Sequence, residues 1–181
     1  MKIVAILADG AEELEVVAVA DVLRRLGFDV TLAGLDHLEI ACANGCRVKA
    51  DRLFAECLSE SFDAVYLPGG TNGAMALYNS ASVIRFVQEM EQSGRVVGAI
   101  CAAPIVLARA GLLSGRRFTM YPGFDEYLDG EVSTGEAAEA DERVVTGRGP
   151  GAVFAFAAKF AGVLGREKEV ADLYQKMFVV L

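Results

Sequence analysis

Residues 96–104 read VVGAICAAP, and the reading of this stretch decides the fold. The run from Arg95 to Ile100 (RVVGAI) is almost wholly apolar, as in a strand buried on both faces. Pro104 suits the first turn of a helix, where a missing N–H leaves nothing unsatisfied. Cys101 stands between them, so the segment is a strand–turn–helix elbow with a thiol at its corner. Buried strands that lead straight into helices build a mostly parallel sheet covered on both faces, and ligands of such sheets sit outside the carboxyl ends of the strands.

The same alternation extends in both directions. Lys2–Ala8 (KIVAILA) reads as a strand ended by Asp9-Gly10, and a helical pattern runs from about Glu12 to Leu26 until Gly27 stops it. Phe28–Gly34 is a second strand. Residues 38–51 (LEIACANGCRVKAD) form two short alternating segments about Asn44-Gly45, a dipeptide suited to a tight turn, so a hairpin is expected at a sheet edge or as an excursion. FDAVYLPGG (62–70) reads as a strand, 72–94 as a helix interrupted near Asn79, and PIVLARAGLL (104–113) as a helix. RFTMY (117–121) is a weaker strand, 124–142 an acidic irregular segment and RVVTG (143–147) a last strand, before helices at about 151–164 and 167–178. The expected architecture is α/β, doubly wound, as one domain over 1–181.

Composition narrows the function classes. No apolar run reaches the roughly 18 residues of a membrane span, and the start lacks a secretory pattern, so a cytoplasmic protein is the expectation. The net charge of −8, with Lys and Arg scattered, disfavours a nucleic-acid partner. Four cysteines in a chain of this size do not make a disulfide framework, which turns attention to reactivity. The one histidine, His37, lies in a polar turn, so neither a Cys-His pair nor a zinc site is expected. Cys42 and Cys46 flank the Asn-Gly turn without further metal ligands nearby. TGRGPGA (146–152) lacks the features of a phosphate loop or a dinucleotide fingerprint, so no cofactor is assigned.

Cys101 has two readings. Buried cysteine is commonly inert. Small neighbours (Gly98, Ala99, Ala102, Ala103), the tight turn and a following helix N-terminus instead favour an exposed, nucleophilic thiolate of lowered pKa. Glu15 is the second anomaly: at 100° per residue it falls in the apolar arc of Ala18, Val19, Val22, Leu23 and Leu26. A core-facing carboxylate is costly unless partnered or protonated, and a raised pKa would let it move protons at neutral pH. The alternative is a first-turn glutamate that caps its own helix or bends to water. In LPGGTNGA (67–74), Gly69 and Gly70 at a strand end offer backbone amides for an oxyanion, with the Ala102 amide as a second donor and Thr71 as a candidate helix cap. Leu14 and Val17 form a small apolar patch opposite the core face of the first helix, suited to a dimer contact.

ADGAEELE, VYLPGGTNGA, VVGAICAAP and TGRGPGA together resemble the landmark segments of the ThiJ/PfpI superfamily, in the branch of the parkinsonism-associated protein deglycase and bacterial YajL-type proteins. The resemblance runs end to end. It implies a flavodoxin-like sheet, Cys101 as the elbow cysteine, a protonated Glu15 bonded to it, and the Gly70 and Ala102 amides as the oxyanion site. It also implies that Arg25 and Arg148 are interface or near-site arginines, with Pro150 beside the latter, and that the protein is a homodimer. Tyr121 stands where some relatives carry a histidine, which argues against protease or amidotransferase chemistry. Asn44 stands near a position where this branch can carry an arginine.

The function so implied is a cofactor-independent, cysteine-dependent enzyme of 2-oxoaldehydes such as methylglyoxal, or of glycated amines and thiols, in carbonyl and oxidative stress defence. A redox-sensing stress protein or chaperone that oxidises Cys101 is the alternative.

Overall fold

The computed structural model describes residues 1–180 and is built on a seven-stranded sheet in the order β5-β2-β1-β6-β7-β9-β8. In chain order the elements begin with β1 (Lys2–Leu7), α1 (Glu13–Arg25) and β2 (Asp29–Gly34). The hairpin strands β3 (Glu39–Ala41) and β4 (Arg47–Lys49) follow, then β5 (Arg52–Leu53) and α2 (Phe54–Cys57). Next come β6 (Ala64–Leu67), α3 (Thr71–Asn79), α4 (Ala81–Gln92), β7 (Val96–Ile100) and α5 (Pro104–Arg109). The chain ends with β8 (Ala138–Asp141), β9 (Val144–Gly147), α6 (Val153–Val163) and α7 (Glu167–Met177).

All pairings within the large sheet are parallel except β8 with β9 at the edge. Strands β1, β6 and β7 occupy its middle, and Ile3 to Leu7 are completely buried, as continuous apolar runs in a doubly covered sheet require. Helices α1 and α6 pack together, and α6 also lies on β7, β8 and β9; α3, α4 and α5 form the other group, with α4 on β6 and β7. This is the flavodoxin-like, doubly wound arrangement expected.

Close packing explains one glycine of the elbow strand. A Cβ on Gly98 would stand 2.7 Å from the Phe160 ring, so only glycine lets α6 settle on β7. Phe160 and Phe156 also pack edge-on against Tyr66, whose hydroxyl donates to the Val16 carbonyl at 3.2 Å and ties β6 to α1.

Two expectations change. RFTMY is not a strand. Its Thr119 N–H donates to the Thr146 side chain, Met120 N–H to the Ser133 hydroxyl and Tyr121 N–H to the Cys101 carbonyl, while the Phe118 carbonyl accepts from Thr134, so no ladder forms. The acidic segment is shorter than expected, because Ala138–Asp141 pairs antiparallel with β9; Glu139, only 3% exposed, meets Arg117 there at 3.0 Å. The interrupted helix does break at Asn79, and the Ser80 hydroxyl accepts the Val83 N–H as the cap of α4. The Asn44-Gly45 hairpin is an excursion outside the main sheet.

Candidate active site

Cys101 adopts φ +65°, the left-handed region that a residue with a side chain seldom occupies. Two backbone bonds hold it there: its N–H donates to the Gly147 carbonyl and its carbonyl accepts from Tyr121, each at 2.8 Å. Pro104 takes the first helical position of α5. The elbow therefore forms as the sequence implies, but its side chain is buried, with 8% of the residue exposed.

Glu15 is fully buried at the start of α1. It does not cap its own helix and does not bend to water. Its Oε2 accepts the Gly69 N–H at 2.7 Å, and its Oε1 has no partner among the described residues. Burial pushes its pKa up to about 7, against the pull of the Gly69 amide and the neighbouring Cys101.

Gly69 is the junction of these groups. A Cβ built there would lie 2.6 Å from the Cys101 Cβ and 2.8 Å from Glu15 Oε2. Gly70, at φ +81°, presses against the loop before α1, where a Cβ would come 2.1 Å from the Gly10 carbonyl oxygen. Its amide and that of Ala102 both act on the Cys101 sulfur and favour its negative charge. Gly70 precedes the first turn of α3; Thr71, taken as a candidate cap, makes no capping bond.

The lowered thiol pKa inferred from the elbow is corrected. Burial first, and then the Glu15 carboxylate, push Cys101 up to about 12 despite the two amides. The sulfur lies too deep for one helix end to compensate its desolvation. Two adjacent buried anions are the costly state, so the Glu15 carboxyl loses its proton first, at about 7, while the Cys101 thiol keeps its own. No hydrogen bond joins the two side chains. When Glu15 holds the proton, it ceases to repel the thiolate and becomes a donor.

Tyr121 is 47% exposed and its ring lies against Gly149, 3.2 Å from where a Cβ would stand. Tyr121, Arg148, Gly149, Pro150 and Ala137 line a cleft of about 420 Å³ on the β9 side of the elbow. Arg148 is exposed and has no ion pair among the described residues. Arg25 is not brought to this site: it lies at the far end of α1, exposed, and binds Asp21 at 2.7 Å. Leu14 and Val17 are exposed on the outer face of α1 at 47% and 53%. His37 pairs with Asp9 at the surface, 2.9 Å away.

One arrangement had no signal in the sequence. The hairpin is clamped to the first turn of α1: Asn44 N–H donates to Glu13 at 3.1 Å, its side-chain amide donates to Glu12 at 2.9 Å, and Cys46 N–H reaches Glu13 at 3.3 Å. Asn44 is thus occupied by carboxylates. Among the described residues, no group of three or more His, Cys, Asp or Glu side chains is placed to hold a metal ion.

The chain is 38% identical over 177 residues to Protein dj-1beta of Drosophila melanogaster, covering 96% of this chain and 95% of that one. The crystal structure of that fly protein superposes with a TM-score of 0.93 over 99% of this chain and 98% of its own, at 36% identity. Toxoplasma gondii DJ-1 in an oxidised form also superposes at 0.93, with 29% identity and 99% of each chain covered. The glutathione-independent glyoxalase DJR-1.2 of Caenorhabditis elegans is 33% identical over 162 residues, 88% of this chain and 87% of that protein. The DJ-1/PfpI family profile matches residues 1–162, a span that holds the elbow, the buried glutamate and both glycines, and the chain belongs to that family.

Proposed function

We propose that this protein is a cofactor-independent enzyme of 2-oxoaldehydes, acting on methylglyoxal or glyoxal and, by the same steps, on their adducts with amines and thiols. The observation that carries the reading is the meeting of the fully buried Glu15 carboxyl and the strained elbow Cys101 at Gly69, where a Cβ would stand 2.8 Å from Glu15 Oε2 and 2.6 Å from the Cys101 Cβ. The likeness to a protein named as a glutathione-independent glyoxalase supports it.

One proton exchanged between Glu15 and Cys101 sets the order of events. The Cys101 thiolate attacks the aldehyde carbon, and the carbonyl oxygen takes the proton from Glu15 to give a hemithioacetal. Glu15, now a carboxylate with a pKa suited to neutral pH, removes the proton from that carbon and returns one to the adjacent carbon. The hemithioacetal hydroxyl gives up its proton and the neighbouring carbonyl oxygen takes one, so that the first carbon becomes the carbonyl and the second the alcohol. The product is a thioester of the 2-hydroxy acid on Cys101. Water then attacks the thioester carbonyl, the thiol leaves with a proton, and lactate or glycolate is released. The Gly70 and Ala102 amides are the donors for the oxyanions of the first and last steps. The Tyr121–Arg148 cleft receives the rest of the substrate.

The protein acts as a homodimer through the Leu14–Val17 face of α1. Among the described residues no helix is long and apolar enough to cross a membrane.

Lactate formation from methylglyoxal, followed for wild type, Cys101→Ala and Glu15→Gln, tests the reading. Turnover by the wild type and its loss in both variants is expected; turnover that survives Cys101→Ala overturns it. A second reading, a redox sensor or chaperone without turnover, is favoured by the two amides on the sulfur, which suit the oxygens of a sulfinate, and by the oxidised relative. No turnover, with selective sulfinate at Cys101 on mild peroxide, would select it.

A further inference from the structure

We propose that Cys42 and Cys46 form a second redox site, a thiol pair that closes to a disulfide across the hairpin under peroxide, independently of Cys101. Both are free thiols here. The register of β3 and β4 pairs Ala41 with Arg47, which puts Cys42 directly opposite Cys46, and the Cys42 N–H donates to the Cys46 carbonyl at 2.9 Å. The Cys46 N–H donates to Glu13 instead, so one bond joins the pair. Opposed residues of an antiparallel pair, bonded or not, have Cα atoms roughly 4.5–5.5 Å apart. A disulfide needs roughly 4.4–6.8 Å and two side chains on one face, and opposed residues of a hairpin provide both.

The two thiols differ in exposure in the way a two-step oxidation uses. Cys46 is exposed; Cys42 is 8% exposed, on the same face as the buried Ile40. Burial, followed by the charge of Glu13 and by Cys46 itself, raises the pKa of Cys42 and keeps it protonated. The exposed Cys46 sulfur therefore meets the oxidant. It attacks one oxygen of hydrogen peroxide, the O–O bond breaks, and Cys46 becomes a sulfenic acid as one water leaves. The Cys42 sulfur then attacks the Cys46 sulfur, its proton passes to the departing hydroxyl, and a second water leaves with the S–S bond formed. Two thiols are oxidised and one peroxide is reduced.

The position gives the pair a consequence. Ala41 accepts the Gly10 N–H at 2.7 Å and Ala43 N–H donates to Ala11 at 2.9 Å, so the residues flanking Cys42 are bonded to the loop that meets Gly70. The disulfide would staple the hairpin that clamps Glu12 and Glu13, next to Glu15 on α1.

Trypsin leaves both thiols in one peptide, residues 26–47. After peroxide treatment of the whole protein and alkylation under denaturing conditions, most of that peptide is expected to lack two hydrogens and carry no alkyl group. A reductant should restore two alkylatable thiols, and Cys101→Ala should close the pair as readily. In Cys46→Ser, a change at an exposed position, Cys42 should stay alkylatable. The proposal is overturned if both thiols remain alkylatable when Cys101 is already oxidised, or if Cys46 proceeds to sulfinate or sulfonate beside an alkylatable Cys42. It is equally overturned if the disulfide joins two chains, seen as a reductant-sensitive dimer, or if Cys101→Ala prevents closure.

Discussion

The Gly69 amide donates to Glu15 Oε2 at 2.7 Å, and the missing side chain of Gly69 is the space in which Glu15 and Cys101 meet. A backbone position on the β6–α3 turn thus sets the separation of two reactive side chains from two other elements. Gly69→Ala places a methyl 2.6 Å from the Cys101 Cβ, below any tolerated contact, so one partner must move. The expected result is an approximately hundredfold loss of 2-oxoaldehyde turnover, the scale of a catalytic group displaced by about 1 Å, and a destabilisation of about 1–3 kcal/mol from overpacking. Steady-state kinetics with far-UV circular dichroism check this; full activity in a folded Gly69→Ala protein would refute the junction.

Glu15 also links stability to pH. Its folded pKa of about 7 lies above its ordinary 4.5, so between these values the folded protein binds more protons than the unfolded chain. The contribution of Glu15 to stability must then fall as pH rises through that window. Glu15→Gln keeps an acceptor for Gly69 and removes the titration, so it should match the wild type below pH of about 4.5 and exceed it above pH of about 7. The side chain is 0% exposed, and the shift corresponds to about 3 kcal/mol. That is roughly 5–10 °C in Tm at pH 8 and nearly none at pH 4.5. Melting curves across this range decide it, and a constant offset between the two proteins would contradict the linkage.

Much of this site is legible in sequence because the departures from pattern are local. Glu15 interrupts an apolar arc that Val19, Val22 and Leu23 define within the same helix, and Cys101 is flanked by small residues and Pro104 within three positions. What sequence does not carry is depth and non-local bonding. The thiol pKa depends on 8% exposure and on a carboxylate from α1, neither of which the elbow reports. Gly69-Gly70 resembles any turn until Cys101 and Glu15 arrive from elsewhere. RFTMY has strand composition, yet the Thr146 and Ser133 side chains take its amides before a ladder can form.

Exchange of one proton between Glu15 and Cys101, as the proposed mechanism requires, predicts an unusual reactivity profile for Cys101. In the wild type the pair loses its first proton with the Glu15 value of about 7, and the thiolate form is a constant fraction of that anion at higher pH. The alkylation rate of Cys101 by iodoacetamide, read by peptide mass spectrometry, should rise about tenfold per pH unit below 7 and then level off. In Glu15→Gln the buried thiol titrates alone, and its rate should keep rising well past pH 8. Superimposable profiles would show that Glu15 and Cys101 do not share a proton.

The outer face of α1 tests assembly separately from chemistry. Leu14 and Val17 are one turn apart, both about half exposed, and the Asp21–Arg25 ion pair continues the face toward the end of the helix. A Leu14→Glu, Val17→Lys double variant removes the apolar contact while touching nothing in the core. Each change alters monomer stability by no more than about 0.5 kcal/mol, as surface substitutions do. The wild type should sediment as a dimer and the variant as a monomer with an unchanged circular dichroism spectrum. Glu15 lies on the opposite face of the same helix, fully buried, so the monomeric variant should retain Cys101 alkylation with the wild-type pH profile. A variant that remains dimeric at micromolar concentration would move the interface away from α1.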